Sequence, residues 1–279
     1  MMKKTYASVL TVAGSDCSGG AGIQADIKTI SALGCYAASA ITAITVQNTC
    51  GVSAIHPVPS DYITGQIDAV MGDISPKAVK IGMIHSAETA RIIASSLKKF
   101  SPKFIVFDPV MISTSGCKLI EDSAIEAITR EIMPMLTLIT PNLYEAETLT
   151  GVQICSVKSM QTAANELLKY GSEAVLIKGG HLKSNIMYDL LQIKGEQEPH
   201  IFKAPHIESN NTHGTGCTLS SAIASFLSLG ETVEKAVEKA KAYVYQCIDS
   251  GKDVCIGKGH GPLNHFHSPV KMHIFTENE

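Results

Sequence analysis

Short aliphatic runs alternate with longer helix-like segments along most of this chain. The runs lie at positions 8–13, 41–46, 78–81, 104–107, 136–140 and 174–177. Several of them are nearly continuous Val, Ile and Leu, which is typical of parallel strands buried on both faces. The alternation therefore predicts an α/β protein built on a mostly parallel sheet.

The helix-like segments are amphipathic. In the first, Ile23, Ile27 and Ile30 share one face and Gly34 ends the helix. Near the end of the chain, Gly230 stops one long helix and Thr232 is the expected N-cap of the next. Further helices are predicted at 62–71, 87–97, 123–132 and 159–170.

A hairpin is predicted from two short strand-like segments, 188–193 and 200–203, on either side of a polar turn at 195–199. We expect it at one edge of the sheet. No internal repeat or linker interrupts the chain. The pattern therefore favours one doubly wound domain over residues 1–279, with helices on both faces of the sheet.

Composition narrows the class of function. Net charge is −3 and no basic stripe is present, so we expect no nucleic-acid partner. The chain has neither an uninterrupted apolar run of about 18 residues nor a signal-peptide pattern at its start, so we expect no membrane partner. Its 8 Cys are scattered, without a C-x-x-C pair, which fits a reducing, cytoplasmic location better than a disulfide framework.

Polar residues follow the predicted strands directly. Asp108 comes after the run at 104–107, Asn142 after 136–140 and Lys178 after 174–177. In an open parallel sheet, the carboxyl ends of the strands meet at one edge, where ligands bind. Loops are polar in any case, but a Lys and an Asp directly after buried runs favour a site for an anionic, metal-bound ligand.

The segment 211–218, Asn-Thr-His-Gly-Thr-Gly-Cys-Thr, opens one of the long helices. Glycines at a helix start let backbone N–H groups approach an anion, and the helix dipole adds positive potential. Cys217 would lie in the first turn, where the pKa of a thiol is lowered, and a thiolate could accept a proton. The alternative is a tight turn with an inert, buried Cys.

Three further patterns could each have a role in binding or a purely structural explanation. The Gly-rich segment 18–22 lacks the order of a dinucleotide fingerprint and the ending of a Walker loop, so we expect close backbone approach to a small substrate there. Asn142 and Glu145 match a helix capping box. Asp26 could be a solvated carboxylate of the first helix.

Together these segments resemble one family. The motifs are Ala-Gly-Ser-Asp at 13–16, Ser-Gly-Gly-Ala-Gly-Ile-Gln-Ala-Asp at 18–26, Lys-Ile-Gly-Met at 80–83, Asp-Pro-Val-Met at 108–111, Thr-Pro-Asn-Leu-x-Glu-Ala at 140–146, Lys-Gly-Gly-His at 178–181 and the segment 211–218. In this order they resemble the hydroxymethylpyrimidine/phosphomethylpyrimidine kinases of the ribokinase-like superfamily. The resemblance covers roughly residues 8–250, and 261–267 is similar to the family's C-terminal stretch.

The resemblance implies a ribokinase-like fold, ATP as phosphoryl donor, Mg²⁺, and a homodimer. Its substrate would be 4-amino-5-hydroxymethyl-2-methylpyrimidine, phosphorylated first to the monophosphate and then to the diphosphate used for thiamine. By position, the residues implied to bind the pyrimidine are Gln47, Asp26, Gly22, Met83 and Val110.

The same resemblance implies roles at the site of transfer. The anion hole would comprise Gly214, Thr215 and Gly216, with Cys217 as the base. Asp108 and Glu145 would hold Mg²⁺, helped by Asn142, since carboxylates suit that ion. The residues implied to face ATP or its phosphates are Lys178, Asn142, Thr212 and His213.

One loop departs from the family pattern. Many relatives have Ala-Lys-Ser-Gly-Asp where this chain has Ser-Thr-Ser-Gly-Cys at 113–117, followed by Lys118. This loop therefore lacks the Lys and Asp that would make a phosphate or lid contact in those relatives.

Pyridoxal kinase is the nearest alternative, because pyridoxal is also a small aromatic ring with a hydroxymethyl group. The sequence Val-Gln-Asn-Thr at 46–49 favours the pyrimidine. A nucleotide-binding regulator would not need Asp108, Lys178 and Cys217 together, and a dehydrogenase would need a dinucleotide fingerprint.

Overall fold

A computed structural model describes residues 3–112, 116–117, 119–180 and 186–277. The strands are β1 (Lys3–Tyr6), β2 (Ser8–Asp16), β3 (Tyr36–Asn48), β4 (Gly51–Pro57), β5 (Ala78–Ile81), β6 (Phe104–Phe107), β7 (Leu138–Ile139), β8 (Ala174–Lys178), β9 (Ile186–Ile193), β10 (His200–Pro205) and β11 (Ile274–Glu277). The α-helices are α1 (Gly22–Ala32), α2 (Ser60–Asp73), α3 (Ala87–Phe100), α4 (Asp122–Ala127), α5 (Leu143–Thr150), α6 (Val157–Leu168), α7 (Thr215–Ser228) and α8 (Val233–Asp249).

The main sheet has nine strands in the order β10-β9-β8-β7-β6-β5-β2-β3-β4. Strands β2, β3, β5, β6, β7 and β8 pair in parallel, while β4, β9 and β10 pair antiparallel to their neighbours. The chain leaves β2 for β3 on one side and returns to β5 on the other. This reversal creates the crevice in which open α/β sheets bind ligands.

Two apolar cores cover the two faces of this sheet. On one face, α2 and α3 pack side chains such as Ile63, Ile67 and Ile93 against the strands. On the other, α1, α7 and α8 contribute residues such as Ile30 and Ile223. Helices on both faces of a mostly parallel sheet confirm the predicted doubly wound α/β class.

The predicted strands 78–81 and 104–107 have the same bounds in the structure, and the edge hairpin is confirmed as β9 and β10. Strand β7 is shorter than the predicted run, and the predicted helix 123–132 is α4 followed by a π-helical turn, Ile128–Ile132. The edge strand β4 and the pair formed by β1 and β11 were not predicted. Strand β4 is half exposed and has few aliphatic residues, so it lacks the pattern of a buried strand.

Among the described helices, none combines the length and the apolar content that crossing a membrane requires.

Candidate active site

A large cavity of about 1590 Å³ lies along the carboxyl ends of the parallel strands. From the sheet, it is lined by Asp16 after the first apolar run, Asp108 after β6, Asn142 after β7 and Lys178 at the end of β8. The start of α7 lines the same cavity. The structure thus brings the predicted strand-end residues and the Gly-rich helix start into one cavity.

Asp108 and Lys178 form an ion pair in the middle of this cavity. Lys178 Nζ donates to Asp108 Oδ1 at 2.7 Å, and the carboxylate is almost fully buried. Thr140 Oγ1 lies 3.3 Å from the same oxygen. Burial alone would lower the pKa of Lys178, but the negative charges of Asp108 and Glu145 raise it above its ordinary value. Lys178 is therefore a fixed positive charge at neutral pH.

Helix α7 begins directly against this ion pair. A Cβ atom on Gly216 would lie 3.0 Å from Asp108 Oδ2 and 3.3 Å from Lys178 Nζ. Gly214, the N-cap, has φ of 86°, and a Cβ there would lie 1.9 Å from the carbonyl oxygen of Gly20. Because Gly216 has no side chain, the first turn of α7 comes close to Lys178, and helix-start N–H groups beside a cation make a compact anion site. Within this turn, the N–H of Thr215 donates to the carbonyl oxygen of Thr212 at 3.3 Å.

Two threonines shape this helix start. Thr215 Oγ1 donates to the carbonyl oxygen of Thr212 at 2.7 Å, and Thr218 Oγ1 donates to that of Gly214 at 2.9 Å. Thr212 is exposed and, like Thr215, lines the cavity. These bonds fix the loop that leads into the helix.

Cys217 lies in the first turn of α7 and lines the cavity, but its predicted ionisation is wrong. Burial raises the pKa of its thiol to about 11, although the positive charge of Lys80 and a hydrogen bond with the backbone of Gly22 act in the opposite direction. The expected lowering by the helix start is outweighed by desolvation. Cys217 is therefore a neutral thiol at pH 7.

Asn142 and Glu145 form the predicted capping box at the start of α5. The backbone N–H of Glu145 donates to Asn142 Oδ1 at 2.9 Å, and that of Asn142 donates to Glu145 Oε2 at 2.7 Å. Burial raises the pKa of Glu145 to about 7; Lys178 opposes this shift and Asp108 adds to it. Glu145 therefore caps the start of α5 and also forms part of the cavity wall.

These carboxylates fit a magnesium ion. Among residues 3–112, 116–117, 119–180 and 186–277, no three His, Cys, Asp or Glu side chains form a metal-binding group. Mg²⁺, however, is commonly held by one or two carboxylates together with phosphates and water. A cation near Asp108 and Glu145 would relieve the repulsion and desolvation that raise the pKa of Glu145.

At the other end of the cavity, several predicted substrate residues line one region. Gly22, Met83 and Val110 are in the wall, as is Gln47 at the end of β3. The amide nitrogen of Gln47 lies 3.2 Å from His213 Nε2, and Thr45 Oγ1 donates to its amide oxygen at 3.1 Å. The Gln47 side chain is therefore held in one orientation at the cavity surface.

His213 joins this region to the Gly-rich loop after β2. Its Nε2 lies 2.8 Å from Asp16 Oδ2, so it is held by a carboxylate. The same Asp16 accepts hydrogen bonds from the backbone N–H groups of Ser18, Gly20 and Ala21. Burial alone would raise the pKa of Asp16, but the bonds from His213, Ser18 and Ala21 lower it well below its usual range.

From the sequence, Asp16 was expected only at the end of the first strand and within a motif, without a specific role, and Lys80 only within a motif. An Asp directly before a Gly-rich turn is the pattern that could have identified Asp16. A Lys inside the buried apolar strand β5 is the pattern that could have identified Lys80.

Asp26 does not lie where it was predicted. It is completely buried behind the cavity wall and accepts hydrogen bonds from Thr11, Ser221 and Lys80. A carboxylate that is saturated by protein donors and has no exposed surface does not contact a ring in the cavity. The expectation failed because the sequence could not say which face of α1 turns toward the ligand.

The third region of the cavity is lined by α8, through residues that include Lys241, Ala242 and Tyr245. Lys241 forms an ion pair with Asp189, which also accepts a hydrogen bond from the backbone N–H of Gly179 at 2.8 Å. His181, residues 113–115 and Lys118 lie outside the described residues.

Comparison with known proteins gives a consistent result. Residues 16–264 match the family model described as phosphomethylpyrimidine kinase. The hydroxymethylpyrimidine/phosphomethylpyrimidine kinase of Rhizobium meliloti is 47% identical over 262 residues, which are 94% of this chain and 97% of that protein. The thiamine biosynthesis bifunctional protein of Geobacter sulfurreducens is 47% identical over 92% of this chain, but the chain spans only 52% of its length.

Two solved structures are similar to this fold. The phosphomethylpyrimidine kinase of Clostridium difficile has a TM-score of 0.77 and 46% identity, covering 86% of this chain and 99% of that one. The pyridoxal kinase of Staphylococcus aureus, in complex with AMP-PCP and pyridoxal, has a TM-score of 0.86 and 30% identity, covering 98% of this chain and 100% of that one.

Proposed function

Because this chain belongs to the phosphomethylpyrimidine kinase family, we propose that it transfers the γ-phosphoryl group of ATP to 4-amino-5-hydroxymethyl-2-methylpyrimidine and then to the resulting monophosphate. The fold is ribokinase-like, and residues 1–279 would form one kinase domain. The product would be the pyrimidine diphosphate that thiamine synthesis uses. Relatives named for hydroxymethylpyrimidine phosphorylation and for thiamine biosynthesis, each 47% identical, support this assignment.

The observation that carries the proposal is the close approach of the start of α7, at Gly216, to the Asp108–Lys178 pair. Phosphoryl transfer spreads negative charge over the oxygens of the moving group, and catalysis is mainly positioning and charge stabilisation. A helix start with N–H groups beside the partly exposed Lys178 supplies both, while the strand ends hold the carboxylates that suit Mg²⁺.

In the first transfer, the hydroxymethyl oxygen attacks the γ-phosphorus, a C–O–P ester forms, and the bond from that phosphorus to ADP breaks. We assign the released hydroxyl proton to the Cys217 sulfur after the thiol has ionised. In the second transfer, a phosphate oxygen of the monophosphate attacks the γ-phosphorus of another ATP, a P–O–P anhydride forms, the bond from that phosphorus to ADP breaks, and no hydroxyl proton is released. Asp108 and Glu145 would hold Mg²⁺, which neutralises charge on the phosphate oxygens.

The remaining residues would orient the two substrates. Lys178 would hold the transferring phosphate, and His213 with Thr212 would complete the rim around it. Gln47 would hydrogen-bond to the pyrimidine, because an amide both donates and accepts, and Met83 with Val110 would cover the faces of the ring. The α8 wall around Tyr245 would receive the adenine.

Pyridoxal phosphorylation is the second candidate, because a pyridoxal kinase in complex with pyridoxal shares this fold over nearly the whole chain. Its sequence identity of 30% is well below the 47% of the pyrimidine kinase relatives.

Steady-state kinetics with purified protein test the assignment. The pyrimidine alcohol and pyridoxal are compared under the same conditions with ATP and Mg²⁺, and products are followed by mass spectrometry. We expect a monophosphate and then a diphosphate from the pyrimidine, with kcat/KM at least tenfold above that for pyridoxal. A higher kcat/KM for pyridoxal would reverse the assignment, and no transfer to either alcohol would reject it.

We also propose a cytoplasmic location and a homodimer. Exposed thiols at Cys17, Cys50 and Cys155 suit a reducing compartment. Ile44 and Val46 on β3 are 49% and 58% exposed beside the edge strand β4. Exposed apolar residues at a sheet edge suit pairing with a second copy of the chain.

A further inference from the structure

Lys80 is among the largest fully buried side chains of the described residues, and no step above uses it. Its Nζ donates to both oxygens of Asp26, at 2.9 and 2.8 Å, and neither side chain has exposed surface. An ion pair of this kind is costly to bury. Replacing such a pair with apolar residues of similar volume is often neutral or stabilising, so stability alone does not account for it.

Four elements hold this pair in place. Thr11 on β2 donates to Asp26 Oδ2 at 2.6 Å, and Ser221 on α7 donates to Asp26 Oδ1 at 2.6 Å. Asp26 belongs to α1 and Lys80 to β5. The carboxylate is therefore saturated by protein donors, and the ammonium is fixed relative to the sheet and to the helix that begins at the anion site.

The two ends of this ion pair have different surroundings. Lys80 is among the residues that form the cavity wall, although its side chain is covered, whereas Asp26 is not part of that wall. The absence of a side chain at Gly82 gives the ammonium its space, because a Cβ there would lie 3.0 Å from Lys80 Nζ. The positive end of the pair thus faces the region of Cys217 and Asp108, and the negative end is shielded by Thr11 and Ser221.

Cys217 lies one helical turn before Ser221 on the same face of α7, and Ser221 donates to the Asp26 carboxylate that holds Lys80, so the ammonium lies near Cys217. The charged groups that face Cys217 are Lys80 on β5, Asp26 on α1, Asp108 after β6 and Lys178 on β8. Of these charges, Lys80 has the largest effect on the pKa of Cys217 and lowers it, whereas Asp26 and Asp108 raise it. A fixed cation in a buried site stabilises negative charge that develops nearby and needs no reorganisation.

We propose that Lys80 is a positioning residue of phosphoryl transfer: its buried ammonium, held by Asp26, keeps a fixed positive charge beside Cys217 and stabilises the negative charge that develops there. This inference rests on the proposed function. It also gives Asp26 a different task from the predicted one, since Asp26 holds the Lys and does not touch the ring.

The test compares Lys80→Met with the double variant Asp26→Asn/Lys80→Met. The single variant leaves a buried carboxylate without its cation, so we expect a lower Tm. The double variant is neutral at both positions and should recover Tm. It should nevertheless keep kcat about tenfold below wild type, with KM for the pyrimidine and for ATP within threefold, because the lost interaction acts in the transition state.

A second readout separates charge from structure. Alkylation of Cys217 by iodoacetamide, followed by peptide mass spectrometry at pH 8, should be at least fivefold slower in the double variant than in wild type. The matched control is Asp68→Asn/Lys99→Met, a partly exposed pair joined at 2.8 Å on α2 and α3, which should change neither readout. If the double variant does not fold, Lys80→Gln is used in its place, because Gln keeps a hydrogen-bond donor to Asp26 but carries no charge.

A double variant, or Lys80→Gln, with wild-type kcat and a wild-type alkylation rate would overturn the proposal. If wild type phosphorylates neither alcohol, the proposed function fails instead, and alkylation still reports on the effect of Lys80 at Cys217. The two failures are therefore distinguishable.

Discussion

At the scale of single residues, Cys217 determines how the chemistry depends on pH. Its thiol has a pKa of about 11 because burial outweighs the nearby cation. A base works only when deprotonated, and below its pKa the deprotonated fraction rises tenfold for each pH unit. We therefore expect kcat/KM for the pyrimidine alcohol to rise about tenfold per unit between pH 7 and 9.

Cys217→Ala should lower kcat by on the order of 10²–10⁴-fold and remove the pH dependence. Cys155→Ala, at an exposed position before α6, is the control and should leave the profile unchanged. Wild-type turnover in Cys217→Ala would end the role of this residue as the base.

Glu145 gives a second prediction at this scale. Its pKa is raised to about 7 from an ordinary value of 4.5, so the folded state holds a proton that the unfolded state releases. The resulting destabilisation is absent below about pH 4.5, grows through the window from 4.5 to 7, and is complete above it. Glu145→Gln should then be more stable than wild type at pH 8 by on the order of 1–2 kcal/mol.

Thermal unfolding measured between pH 4.5 and 8 checks this, and the stability difference should shrink as the pH falls. Asn142→Ala serves as the comparison, since loss of the N-cap lowers Tm at every pH. A Glu145→Gln variant less stable than wild type at pH 8 would contradict the assigned pKa. The variant should also lose most of the activation by Mg²⁺.

At the scale of elements, the start of α7 is the part on which transfer depends. Gly216→Ala would bring a methyl group to 3.0 Å from Asp108 Oδ2. We expect kcat to fall at least tenfold, because the methyl group would displace the Asp108–Lys178 pair. Tm should change little, because a movement of a few tenths of an ångström relieves the contact. Steady-state kinetics and thermal unfolding measure the two effects.

The matched control is Gly65→Ala in α2, where a Cβ meets nothing within 4 Å. It should keep full activity and gain up to about 1 kcal/mol of stability from helix propensity. Equal activity of Gly216→Ala and wild type would show that the helix start is not close to the moving phosphate.

The elements also show how far sequence reasoning reaches. Buried runs of Val, Ile and Leu located β5 and β6 to the residue, and the convergence of strand ends brought Asp108 and Lys178 together without coordinates. The sequence pattern did not determine which way side chains point. Asp26 turns away from the cavity because α1 packs that face against Thr11 and Ser221. The burial of Cys217, which reverses the expected shift of its pKa, depends on contacts between distant segments.

At the scale of the whole molecule, the exposed apolar residues beside the edge strand β4 bear on assembly. Val46→Glu with Ile44→Glu places charges on this surface, so we expect the variant to be monomeric if wild type is a dimer. Ile201→Glu on β10, at the opposite edge and 43% exposed, is the control and should not change the mass. Light scattering at micromolar concentration gives the result, and a monomeric wild type would reject the dimer.

The account as a whole depends on one region, where the start of α7 meets the strand tips that carry Asp108 and Lys178. The most direct test is a crystal structure with a non-hydrolysable ATP analogue, Mg²⁺ and the pyrimidine alcohol bound together. We predict the γ-phosphate between the N–H groups of residues 214–216 and Lys178 Nζ, with the hydroxymethyl oxygen beside Cys217. A γ-phosphate bound away from α7, or a pyrimidine that does not contact Gln47, would contradict the account.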